Sequence, residues 1–137
     1  MSETASPRVG ELRVVVTAAD YDEALHFYRD VLGLLERTAV SSPGGRVAIL
    51  DAGRATLEIA DPSHAAYIDD VEVGRRVAGQ IRIAFGVDDA AAVTTELAGA
   101  GATIIAPPVR TPWNSLNSRL DAPAGLQLTL FSELDQT

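Results

Sequence analysis

A chain of 137 residues with a net charge of −8 fits one compact domain, or two small modules sharing a core. It has no cysteine, which excludes disulfides, thiolate metal sites and thiol catalysis, and its eleven basic residues form no cluster larger than Arg75-Arg76, which excludes the basic patch that nucleic acid requires. No apolar run is long enough to cross a bilayer, and the start MSETASPRVG carries neither a basic segment nor an apolar one, so the expectation is a cytoplasmic protein with a flexible tail over 1–10.

Leu12 to Thr17 (LRVVVT) is β-branched and reads as a strand. In the next stretch, DYDEALHFYRDVLGL, the residues Tyr21, Ala24, Leu25, Tyr28, Val31 and Leu32 recur at helical spacing, so an amphipathic helix is expected from Asp20, its cap, to Gly33, its stop. Leu34 to Ser41 favours a strand, and the turns at Ser41-Ser42-Pro43-Gly44-Gly45 and Ala52-Gly53-Arg54 bound two more, Arg46 to Asp51 and Ala55 to Ala60. Short turns make these three an antiparallel meander. Residues 62–80 form a connector, in which Asp69, Asp70 and Glu72 read as solvated rather than as a site for a cationic drug.

Ile81 to Val87 (IRIAFGV) repeats the first strand, and Asp88-Asp89 followed by Ala90, Val93, Leu97 and Ala100 repeats the helix in a shorter, Ala-rich form ended by Gly99 and Gly101. Thr103 to Ala106, Asn117 to Asp121 and Leu126 to Phe131 complete the copy. Leu12-Arg13-Val14 aligns with Ile81-Arg82-Ile83, and Leu57-Glu58-Ile59 with Leu128-Thr129-Leu130, so the spacing between copies changes by only two residues along the module. A repeat this long, occurring twice, implies two βαβββ modules about a pseudo-two-fold axis. Module 1 covers 11–61 and module 2 covers 81–131, followed by a short C-terminal tail. The expected fold is α+β: a cupped, mixed eight-stranded sheet with the helices outside.

The segments LRVVVTAADYDEALHFYRDVLGL, Leu57-Glu58-Ile59, IRIAFGVDD and DAPAGLQLTLF resemble the vicinal oxygen chelate superfamily, the group containing glyoxalase I, extradiol dioxygenases and bleomycin-resistance proteins. In metal-dependent members, the first and last strands of each module supply the ligands of a divalent ion. The resemblance carries those positions to Arg13, Glu58, Arg82 and Thr129. Only Glu58 matches, because a guanidinium has no free lone pair and repels a cation, and Thr129 offers a weak neutral oxygen. The resemblance therefore implies the fold, one groove lined by these four residues, no metal and no other cofactor, and a homodimer, whose partner would cover exposed sheet edges.

In that groove Glu58 is expected between Arg13 and Arg82, either as a structural ion cluster or with an arginine left to clamp a ligand oxygen. Two arginines against one glutamate leave about one positive charge in excess, which favours a small anionic or planar ligand. Trp113, on a Pro-containing loop, is either a core anchor or a stacking surface beside the groove, with Asn114, Asn117 and Arg119 adding polar groups nearby. His26 reads as a helix residue and His64 as a solvated connector residue, neither facing the groove. Two functions follow: a protein of the antibiotic-resistance kind that binds a small molecule without metal, or an enzyme (lyase, isomerase or dioxygenase) acting on a small metabolite with a non-standard metal site or none. Glu58 is the candidate base of the second.

Overall fold

The β-branched runs form strands wherever an apolar face can be buried on at least one side. In the computed structural model, which describes residues 8–134, the first half contains β1 (Val9–Thr17), α1 (Tyr21–Leu25), β2 (Leu35–Ser42), β3 (Gly45–Ala52) and β4 (Ala55–Ala60). Then come α2 (Pro62–Glu72), β5 (Ile81–Val87), α3 (Ala90–Gly99), β6 (Thr103–Arg110), β7 (Ser115–Ala122) and β8 (Leu126–Glu133). The eight strands make one sheet in the order β2-β3-β4-β1-β5-β8-β7-β6. β1 pairs parallel with β4 and β5 parallel with β8, each closing its module, while the antiparallel β1–β5 seam joins the two halves. Among the described residues, no helix is long and apolar enough to cross a membrane. The tail expected over 1–10 falls mostly outside the described residues, although Val9 and Gly10 already belong to β1.

Strand alternation sorts the two faces. Ala48, Leu50 and Ile59 point outward and bury Tyr21 of α1, with Leu57 packed against them. Val87, Leu120 and Leu130 do the same for Ala90 of α3. The alternate residues of the same strands, among them Val47, Ile49 and Glu58, face the concave side.

Three expectations are corrected. The first helix is α-helical only over Tyr21–Leu25, capped by the Asp20 carboxylate accepting from the Glu23 amide at 3.0 Å, and continues as a π-helical segment over His26–Val31. There the Leu32 amide bonds five residues back to Phe27 O at 2.9 Å. The wider winding rotates the apolar stripe off the sheet, so Phe27, Val31 and Leu32 stay exposed. The connector begins with an eleven-residue helix, α2, which occupies the concave side rather than the outside. And β6 runs on through Pro107-Pro108 to Arg110, since an edge strand has one side that needs no amide donors; irregular pairing between Ala106 and Val109 marks the place.

Candidate functional site

β1 is central in the sheet, and its register places the four groove positions together. Val15 aligns with Glu58 on one side and Arg82 on the other. Arg13 aligns with Ala84, and Ala84 with Thr129. Two short rows result, Glu58–Val15–Arg82 and Arg13–Ala84–Thr129, related by the pseudo-two-fold axis of the seam. All four predicted residues line one cavity of ≈ 450 Å³.

Their pairing differs from an Arg-Glu-Arg cluster. Arg13 turns to Glu11, with Nε to Oε2 at 2.8 Å, and its guanidinium lies 4.5 Å from the Phe131 ring centre. Its Nη1 comes only to 4.0 Å from Glu58 Oε1. Arg82 donates from Nη1 to Thr129 Oγ1 at 2.8 Å and forms no ion pair among the described residues. Glu58, whose side chain is 12% exposed, accepts no hydrogen bond among them. Burial pushes the Glu58 carboxyl above its usual value, opposed by the charges of Arg82 and Arg13. Burial also pushes the Arg82 guanidinium down.

Of the three acidic connector residues, Asp70 is exposed as expected, but Asp69 and Glu72 are not solvated. Asp69 is 2% exposed and Glu72 3%, and both hold Arg119, which is fully buried. Arg119 Nη1 donates to Asp69 Oδ1 at 2.7 Å, and its Nη2 and Nε donate to Glu72 Oε1 at 2.8 and 3.0 Å. Asn117 and Thr129 complete the shell of Glu72 at 2.8 and 3.0 Å. Arg82, Thr129, Glu72, Arg119 and Asp69 thus form one hydrogen-bonded chain from the cavity into α2. For Asp69, burial alone would raise the pKa, but the amides of Ala78 and Val77 and the Arg119 guanidinium together hold it below the ordinary value.

These acids remove the positive excess expected at the groove floor. Arg13 is matched by Glu11 and Arg119 by two carboxylates, which leaves Glu58 and Arg82 as the incompletely paired charges.

α2 also supplies one wall. His64, Ile68 and Glu72, four residues apart, present one helical face to the cavity, and Tyr67 lies beside them. His64 is therefore a half-buried cavity residue rather than a solvated one, and burial lowers its pKa. His26, in contrast, is exposed on the π-helical segment and pairs with Asp30 at 3.1 Å. Trp113 is 43% exposed, so it is no core anchor; it sits at the cavity mouth with its ring 6.3 Å from Tyr67. Asn117 lines the cavity, whereas Asn114 sits in the β6–β7 turn with φ 66° and accepts from Arg110.

Sequence reasoning missed α2 and Phe131. Phe131 carried no signal, being one apolar residue in a strand. α2 did carry one: Asp61 followed by Pro62 is a capping residue ahead of the proline that favours a first helical turn, and Asp61 Oδ1 does accept from the His64 amide at 2.8 Å.

The four positions where the fold family places metal ligands offer one carboxylate, one hydroxyl already bonded on both sides, and two guanidinium groups. Among the described residues no three His, Cys, Asp or Glu side chains converge as a metal cage. This donor set does not fit a divalent ion.

A sequence profile described as the Glyoxalase/Bleomycin resistance protein/Dioxygenase superfamily matches residues 12–130. No curated protein matches the chain. Among solved structures, methylmalonyl-CoA epimerase from Mycobacterium tuberculosis is 21% identical, with TM-score 0.68 over 96% of this chain and 93% of that one. A hypothetical protein from Bacillus halodurans C-125 is 18% identical, with TM-score 0.66 over 91% and 94%. A glyoxalase/bleomycin resistance protein/dioxygenase superfamily member from Vibrio splendidus 12B01 is 11% identical, with TM-score 0.65 over 90% and 98%. At these identities the likeness is one of fold.

Proposed function

This chain belongs to the Glyoxalase/Bleomycin resistance protein/Dioxygenase superfamily, and from that premise we propose that it binds a small planar molecule in the cavity over Val15, without a divalent metal. The carrying observation is the cavity itself: ≈ 450 Å³, walled by aliphatic side chains such as Val15, Ile49 and Ile68, with a few polar groups at the floor and two aromatic rings at the mouth. The donor set supports the metal-free reading. The test is calorimetric titration with planar aromatic compounds, before and after dialysis against a chelator. Binding should be unchanged by the chelator and abolished by Val40→Phe, which fills the cavity from the exposed strand β2. A stoichiometric ion on Glu58, or binding lost with the chelator, overturns the proposal.

A second reading, catalysis of the lyase or isomerase kind, draws on one observation: Glu58 lines the cavity with its pKa raised by burial and accepts no hydrogen bond among the described residues, which leaves a carboxylate open to take a proton from a bound ligand. Deuterium uptake from solvent at a carbon next to a bound ligand's carbonyl, lost in Glu58→Gln, would favour it. The exposed apolar residues of the π-helical segment support a homodimer.

A further inference from the structure

The polar groups left open inside the cavity are few and of opposite sign. The Glu58 oxygens and the Nε and Nη2 of Arg82 make no hydrogen bond among the described residues; both side chains line the cavity, and Arg82 also borders a small void next to Ala78 and Gly79. Their competitors are occupied. Arg13 is held by Glu11 and stacked on Phe131, and Glu72 already accepts from Arg119, Asn117 and Thr129.

Glu58 and Arg82 rise from the same row on either side of Val15, about 10 Å apart at the backbone, two interstrand spacings. Both side chains line the same cavity and close no ion pair with each other. We infer that the cavity selects a planar, uncharged group presenting a hydrogen-bond donor beside an acceptor, such as a carboxamide, a lactam or an enolised dicarbonyl, with the donor on Glu58 and the acceptor on Arg82. The inference rests on the reading of this cavity as a ligand site.

Charge decides among the alternatives. The two open charges cancel, so a neutral group adds none to a poorly solvated space. A carboxylate satisfies Arg82 but sets a second acceptor against Glu58. An amidinium satisfies Glu58 and leaves Arg82 facing a cation. A zwitterion matches both, but must shed the hydration of two full charges to enter aliphatic walls.

Four probes of similar shape separate these cases: benzamide, benzoate, benzamidine and phenylglycine, titrated near neutral pH against the whole chain with NMR shifts of the cavity residues as readout. Benzamide should bind about tenfold more tightly than each of the others. Glu58→Gln, which adds a donor where the carboxylate stood, should raise benzoate affinity and narrow that gap. If benzoate, benzamidine or phenylglycine binds as tightly as benzamide, or if Glu58→Gln leaves the gap between benzamide and benzoate as wide as before, the inference is overturned while the site reading stands. If no probe shifts a cavity resonance, or Val40→Phe leaves benzamide binding intact, the site reading fails and the inference with it.

Discussion

Glu58 shows how one side chain can oppose the stability of the fold that carries it. Its folded pKa is raised, with burial the largest cause, so ionisation is harder in the folded chain than in the unfolded one. The cost is fully present above the folded pKa and vanishes as pH falls below the unfolded value. Glu58→Gln should therefore raise the melting temperature at mildly alkaline pH, and the gain should disappear in acid, as thermal melts across pH would show. Asp69 has the opposite sign. Its folded pKa is lowered, so its contribution is present above the unfolded value and lost as pH falls through the folded one. Arg119→Met removes the cation between Asp69 and Glu72 and should cost about 3 to 5 kcal/mol in urea unfolding, because two buried carboxylates lose their partner. At this scale the family resemblance pointed to Arg13, Glu58, Arg82 and Thr129, and the internal repeat sets Arg13 against Arg82 and Glu58 against Thr129 at matching levels of the two modules. The sequence hid the pairing of Arg119 with Asp69 and Glu72, because ion pairs between residues some fifty positions apart leave no local pattern.

Among the elements, α2 is the one whose placement sets the cavity, and its first turn is held at few points. Asp61 caps it and also lies 3.6 Å from Arg46. Asp61→Ala should cost about 1 kcal/mol and weaken ligand binding, measurable by chemical denaturation and titration of one variant. Gly45 adopts φ 116°, and a Cβ there would fall 2.6 Å from Asp61 Oδ1 and against the His64 amide. Gly45→Ala should therefore destabilise by more than about 2 kcal/mol, exceeding the loss of the cap it strikes. Apart from the second half of β6, hidden by Pro107-Pro108, the strands were legible to within a few residues of their ends, since turns and β-branched runs mark them. The π-helical winding after Leu25 was not, because a helical stripe in sequence does not report which turn will have room to pack. α2 was obscured by its mixed face, whose buried acids mimic a solvated surface.

For the whole molecule, the two ends of the sheet are unlike. β6 carries two prolines and irregular pairing, which blunt that edge, while β2 is exposed along its entire length beside Phe27, Val31 and Leu32. Leu35, 75% exposed, lies at the start of this patch. A second copy covering it would sediment at twice the 14.4 kDa of one chain, and Leu35→Asp should return the protein to the single-chain mass. The two-module architecture was readable because the repeat keeps its spacing from end to end. Which side of the sheet would hold the connecting helix was not, since that depends on partners in β7 and β8.

The helix that follows module 1 in sequence finds its acid-binding partners in module 2, and this has a kinetic consequence. A nascent chain that has released β1 to β4 and α2 holds Asp69 and Glu72 without the guanidinium that hydrogen-bonds them in the folded chain until Arg119 has emerged. Module 1 can bury Tyr21, Ala48, Leu50 and Ile59 by itself, but α2 cannot dock until module 2 supplies Arg119, so the barrier to folding should include strands from both halves, closed over a long loop. Amide exchange should then find β3 and β7 opening with the same free energy, as one cooperative unit, and Arg119→Met should split that unit in two.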